Sequence, residues 1–152
     1  MNLNINNLNK YDFIVYTDGA CIGNPGAGGW AAILFNIKGK EILSGAEEQT
    51  TNNRMELIAS IQALKYIKKK SKINIFTDSK YLIDGISIWI ENWKLNQWKT
   101  KNNKHVKNSD LWKELDELQN FHIVKWTWVK GHSGDKYNDE ADMLARNQAE
   151  SI

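Results

Sequence analysis

A chain of 152 residues, 41% hydrophobic and 25% charged, is large enough to bury one core without structural staples and carries the composition of an ordinary globular domain. Its lone Cys21 excludes an intramolecular disulfide and fits a reducing compartment such as the cytoplasm. No apolar run is long enough to cross a bilayer, and the start lacks the basic-then-apolar pattern of a secretory leader. A net charge of +2 is too small to name a partner, so partners must be read from where the charges lie.

Residues 1–10 hold five Asn and little periodicity, which predicts a frayed extension ahead of a single domain over 11–152. Residues 12–17 read as a strand, followed by a Gly-rich turn, GNPGAGG. That run lacks both the Gly-Lys-Ser/Thr ending of a P-loop and the spacing of a dinucleotide motif. Its glycines therefore predict a tight return and a close backbone approach rather than a nucleotide cofactor. Residues 30–35 and 41–46 read as two more strands, joined by a hairpin turn at Lys38-Gly39-Lys40.

Residues 52–69 place Met55, Ile58, Ile61, Leu64 and Ile67 on one helical stripe, with Ala59 and Ala63 beside it to allow close approach to a sheet. Residues 73–77 form a fourth strand, and Ser79 caps a helix running to about residue 93. Ser109 or Asp110 opens another helix, 122–129 alternates as a strand, and 138–149 is the final helix. Three strands joined by short turns predict an antiparallel meander; strands separated by helices predict parallel additions. The class is α/β.

Four acids stand out against this layout. Asp18 in YTDG and Asp78 in FTDS each follow an apolar strand, at the sheet edge where α/β folds place their sites. Glu56 and Asp142 lie in helical patterns that can lay a carboxylate over that edge. Singly, each has an ordinary structural role as turn former, helix cap or solvated helix residue. Gathered in one cleft, the four would repel one another unless a cation neutralised them, and hard oxygen ligands favour Mg²⁺ or Mn²⁺ over Zn²⁺. His132, in VKGHSGD, sits in a Gly-rich loop and titrates near neutral pH. No Ser-His-Asp arrangement and no zinc-ligand spacing of histidines is present, which disfavours acyl-transfer and zinc chemistry.

Charge is concentrated between residues 94 and 107. Lys94, Lys99, Lys101, Lys104 and Lys107 lie there with His105 and no acid, beside Trp89, Trp93 and Trp98. Such a run can meet phosphates with its cations and sugars or bases with its rings. It reads equally as a solvated loop with its tryptophans turned to the core. The lysines at 68–70 and 72 close a helix, where cations complement the dipole.

The blocks YTDGACIGNPGAGGW, TTNNRMEL, FTDSKYL, WKTKNNKHVKNSDLW and VKGHSGDKYNDEADMLAR, in this order from about residue 11 to 149, resemble those of type 1 ribonuclease H. The resemblance implies a five-stranded mixed sheet flanked by helices. It also implies endonucleolytic cleavage of the RNA strand of RNA–DNA hybrids by a two-metal displacement giving 5′-phosphate and 3′-hydroxyl ends. On it, Asp18, Glu56, Asp78 and Asp142 are the catalytic acids, holding two Mg²⁺ ions for which Mn²⁺ can substitute. His132 is a mobile histidine assisting proton transfer or product departure.

By the same resemblance, Thr51 and Asn108 grip a phosphate of the DNA strand, and Asn24, Asn52 and Asn53 lie near the hybrid's minor groove. Trp89 and Trp93 line the DNA channel, and residues 93–108 form a basic protrusion carrying Lys94, Lys99 and Lys107. Leu95, Asn96, Asn102 and Asn103 stand where more basic versions carry charge, and Gln49 stands where some members have Arg. A monomer follows, with no small-molecule cofactor and no separate N-terminal hybrid-binding domain. The rival expectations are a DNA nuclease of the same architecture and a non-catalytic hybrid binder.

Overall fold

Successive strand residues face opposite sides of a sheet, and β1 (Phe13–Ile22) sends Val15 into one core cluster and Ile14 and Tyr16 into another. The computed structural model describes residues 7–131 and 133–152. After α1 (Asn7–Lys10), β1 pairs antiparallel with β2 (Gly26–Asn36), and β2 with β3 (Gly39–Thr50). Next come α2 (Asn52–Tyr66) and β4 (Lys72–Thr77), parallel to β1. Then follow α3 (Lys80–Asp84), a wider π-helical turn over Gly85–Trp89, α4 (Ile90–Leu95) and α5 (Ser109–Phe121). The chain closes with β5 (Ile123–Trp128), parallel to β4, and α6 (Lys136–Glu150). The sheet order is β3-β2-β1-β4-β5, the mixed α/β sheet expected from the sequence.

One face carries the larger core. Leu57, Ile61 and Leu64 of α2 pack with Leu82, Ile90, Trp112 and Leu115 over Val15, Leu34, Ile73 and Ile75. Each such side chain, fully buried, contributes about 1.5–3 kcal/mol. On the other face, α6 sets Ala141 against Ile14, Tyr16, Ile33 and Phe35, with Tyr137, Leu144 and Leu8 at the margin. Buried His122 ties the far ends of three elements. Its Nδ1 accepts from the Ser71 N–H at 3.1 Å, and its Nε2 lies 3.2 Å from the Leu64 carbonyl of α2.

The element boundaries depart from expectation in three instructive places. β1 runs to Ile22 rather than residue 17, because its pairing with β2 continues through Asp18↔Ala31 to Ile22↔Ala27. Only the start of GNPGAGG turns; Gly28 and Gly29 are strand residues. A Cβ on Gly29 would meet the Ala149 N of α6 at 2.6 Å, so this glycine lets a helix lie directly on the sheet. The helix capped by Ser79, whose Oγ accepts from the Leu82 N–H at 3.1 Å, is broken by the π-helical turn before it ends at Leu95. Of the Asn-rich start, residues 1–6 lie outside the described residues, and Asn7–Lys10 form one helical turn.

Gly85 opens that π-helical turn directly beneath the fully buried Trp112, and a Cβ there would fall on the indole ring. Gly85→Ala should therefore lower unfolding stability by about 1–3 kcal/mol, the usual cost of overpacking. Urea denaturation followed by tryptophan fluorescence measures it, and an unchanged midpoint would show that α5 is not seated as tightly as described.

Candidate metal centre and nucleic-acid interface

Thr17↔Thr77 is the last rung between β1 and β4, and the residue that follows each is an acid, Asp18 within β1 and Asp78 just past the end of β4. Glu56 comes from the second turn of α2. What brings it alongside is Gly19: a Cβ there would lie 2.5 Å from the Glu56 N and 2.6 Å from the Met55 carbonyl carbon, so only glycine admits the helix. The Gly19 N–H then donates to both neighbouring carboxylates, 2.9 Å to Asp18 Oδ1 and 2.7 Å to Glu56 Oε1. One carboxylate oxygen from each of Asp18, Glu56 and Asp78 lies within 4.8 Å of the others.

Asp18 and Glu56 are 2% and 3% exposed, which places their charges almost wholly out of water. Burial first, then the Glu56 charge, drives the Asp18 carboxyl far above the usual carboxylate range. Burial likewise raises Glu56 from 4.5 to about 7, and it raises Asp78, although hydrogen bonds to Asp18 and Asn138 pull Asp78 back. Asp18 Oδ2 and Glu56 Oε2 are buried with no hydrogen-bond partner among the described residues. Three crowded carboxylates with orphaned oxygens require protons or a cation, and an all-oxygen donor set fits a hard divalent ion.

Asp142 stands apart from this group. It lies on α6 with its carboxylate bonded to Arg146 at 3.0 Å, although its charge still raises Glu56 and Asp78. Two residues that sequence reasoning passed over complete the surroundings. Asn138 is 1% exposed, helps to hold the Asp78 carboxyl down, and leaves its own Oδ1 unpartnered among the described residues. Its spacing of four from Asp142, on one helical face, was the available signal. Gly131 is the other: a Cβ on it would lie 3.0 Å from Asp78 Oδ2. His132, which follows it, lies outside the described residues.

The remaining predicted residues form two groups. Thr51 caps α2 by accepting from the Arg54 N–H at 3.2 Å, and the Asn24 side chain accepts from the Asn52 N–H at 2.8 Å, tying the β1–β2 turn to that helix start. Asn53 is exposed on the same first turn. Asn108, immediately before α5, is held by Arg54 and Tyr81. In the second group, Trp89, Trp93 and Lys99 line a cleft of about 570 Å³ with Asn92, Asn96, Thr100 and Lys101.

Trp93 lines this cleft and at the same time packs 5.4 Å from Trp112 on its core side. The protrusion closes on a Lys99↔His105 bridge, with Val106 buried at its base. Gln97, Trp98, Asn103 and Asn108 all adopt left-handed backbone, with φ of 55°, 60°, 61° and 62°. Lys94 is not free: it pairs with Asp116 at 3.1 Å and Glu91 at 3.7 Å, whereas Lys99 and Lys107 form no ion pair among the described residues.

Comparison with known proteins gives a consistent result. The RNase H family model matches residues 10–150. The ribonuclease H of Wolbachia pipientis wMel is 57% identical over 139 residues, covering 91% of this chain and 96% of that protein. The ribonuclease H of Francisella philomiragia is 61% identical over 137 residues, 90% of each chain. Among solved structures, LC9-RNase H1, a type 1 RNase H with the type 2 active-site motif, is similar with a TM-score of 0.82 and 31% identity. That similarity covers 91% of this chain and 72% of that one.

The raised carboxyls carry a signed consequence for stability. Folded values above the unfolded ones penalise the protein at neutral pH once metal has been removed, and the penalty fades as pH falls from about 7 toward the ordinary 4.5 of Glu56. Asp18→Asn should thus raise the stability of the chelator-treated protein at pH 7, by on the order of 1 kcal/mol, and by less at pH 5. Thermal melts at the two pH values test this; a lower melting temperature for the variant at pH 7 would contradict it.

Proposed function

We propose, for a chain that belongs to the RNase H family, endonucleolytic hydrolysis of the RNA strand of RNA–DNA hybrids, leaving 5′-phosphate and 3′-hydroxyl ends. The observation that carries this reading is the convergence of Asp18, Glu56 and Asp78 within 4.8 Å at one edge of the sheet. These three carboxylates would hold Mg²⁺, with Asp142 joining them for a second ion and Mn²⁺ able to substitute. Bound there, the ions would supply Lewis-acid activation of water and stabilise the departing 3′ oxygen.

The chain's own residues do the rest. Gly19 keeps Asp18 and Glu56 side by side through one shared N–H, and Asn138 orients Asp78. His132 is read as the group that carries a proton to or from the cleaved ends. Thr51 and Asn108 hold a phosphate of the DNA strand, while Asn24, Asn52 and Asn53 face the minor groove, where 2′-hydroxyls distinguish RNA from DNA. Trp89, Trp93, Lys99 and Lys107 support the duplex beyond the cut.

Lys94 is instead a strut binding the protrusion to Asp116 of α5. A cytoplasmic monomer without a small-molecule cofactor completes the reading. No helix among the described residues is long and apolar enough to cross a membrane.

The direct test is cleavage of a uniform RNA–DNA hybrid beside matched duplex RNA and duplex DNA, with and without Mg²⁺. Mg²⁺-dependent cutting of the hybrid's RNA strand is expected. Cutting of duplex DNA instead would assign the site to a DNA nuclease of the same architecture, and binding without products would make the chain a hybrid binder.

Asp18→Asn should abolish cleavage while hybrid binding persists, since it removes a metal ligand and no phosphate contact; retained turnover would refute the assignment. Replacing Lys99 and Lys107 with Ala should raise KM and reduce the salt slope of binding by about two. Lys94→Ala should lower stability more than affinity, and equal effects of all three lysines on KM would contradict the strut.

A further inference from the structure

An asparagine ahead of a helix ordinarily turns its side chain back onto the first free backbone N–H groups. Asn108 precedes α5, yet it makes no such bond, and its backbone sits in the left-handed region at φ 62°. Its amide is instead strung between side chains of two other elements. Oδ1 accepts from Arg54 Nη1 of α2 at 3.2 Å, and Nδ2 donates to the Tyr81 hydroxyl of α3 at 3.1 Å.

The two ends of this amide cannot be exchanged. A guanidinium has donors and no acceptor, so only an oxygen can face Arg54. The opposite end is then the NH₂, which meets a Tyr81 oxygen that also accepts from Trp112 Nε1 at 3.0 Å. Arg54 is itself gripped as a fork by Asp110 of α5, Nη1 to Oδ1 at 3.2 Å and Nη2 to Oδ2 at 3.0 Å. Asn108 and Asp110 therefore accept from the same nitrogen, and Asp110 cancels the guanidinium charge at this corner. One amide hydrogen of Asn108 remains beyond the one that Tyr81 takes.

We infer that Arg54 and Asp110 act as a positioning pair: together they fix which end of the Asn108 amide meets the DNA strand's phosphate, so that the grip comes from a neutral N–H and not from the guanidinium charge. This rests on the hybrid-cleaving reading above. Without Arg54, the Asp110 carboxylate is an unpaired acceptor beside Asn108 and draws the NH₂ toward itself. The amide then turns its carbonyl outward, setting an acceptor against a phosphate oxygen. Removing the carboxylate as well takes away the cause of that reversal.

The test compares wild type, Arg54→Met and Arg54→Met/Asp110→Asn, with melting temperatures confirming that each is folded. Arg54→Met should raise KM for a hybrid about tenfold with kcat within about twofold, because ground-state binding is lost and the chemistry is not. Adding Asp110→Asn should return most of that loss. If Arg54 were itself the phosphate contact, the double variant would be as impaired as the single, and the inference would fall. An unmoved KM in Arg54→Met would also overturn it.

A second readout does not depend on turnover: the Asn108 side-chain NH₂ resonances of the wild type should shift when hybrid binds in the presence of chelator. Unshifted resonances in a complex that does form would count against the inference. Absence of cleavage by the wild type itself would sink the enzymatic reading, and is thereby distinguished from failure of the pair.

Discussion

The backbone N–H of Gly19 is shared between two carboxylates, and the centre exists because that sharing is possible. A side chain at position 19 would push α2 off β1, and Glu56 would leave with it. The arrangement brings attraction and repulsion into the same few ångströms. Two like charges about 4–5 Å apart repel by roughly 3–4 kcal/mol at an effective dielectric of about 20. Hydrogen bonds to charged groups return about 1.5–3 kcal/mol. Burial first, and crowding by like charges second, raise all three carboxyls despite these bonds, and a further positive charge would relieve both. A site that is strained electrostatically by its own fold has an affinity for cations written into its packing.

Much of this was legible in the sequence, and the reasons for success and failure are physical. The strand-then-acid pattern in YTDG and FTDS located two of the three clustered carboxylates because parallel neighbours end at the same edge. The stripe through Met55, Ile58, Ile61 and Leu64 located α2, and with it Glu56. The extent of β1 was not legible, since Asp18, Gly19, Ala20, Cys21 and Ile22 give no regular alternation of apolar and polar residues although their ladder bonds are intact. The glycine run read as a turn because glycine's conformational freedom and its smallness leave the same mark. Gly28 and Gly29 are there for the second property. The break at Gly85 depends on Trp112, twenty-seven residues away, and no local window contains it.

Charge proved harder to read than shape. Lys94 and Lys99 look alike in the sequence, yet one is tied to Asp116 and the other lines an aromatic cleft. Asp142 looked equivalent to the other acids and is instead engaged by Arg146, one helical turn onward. A long side chain's partner is set by tertiary placement, so composition counts the charges without saying which are free. Arg54 shows the same in reverse. It sits inside a recognised block, and its pairing with Asp110 offsets the guanidinium charge beside Asn108, which on the inference above shifts recognition there from charge toward position.

The left-handed residues of the protrusion carry a last implication. Gln97 and Trp98 lack glycine's tolerance for that backbone, which costs roughly 1–2 kcal/mol for each, while Asn103 is a residue type that adopts it more readily. Buried Val106, the Lys99↔His105 bridge and the Lys94–Asp116 strut hold them there regardless. A segment so over-determined surrenders its conformational entropy while the chain folds and has little left to lose when a duplex arrives. On the proposed reading, its stiffness would compensate for its modest number of cations, with rigidity supplying part of the affinity that charge supplies elsewhere.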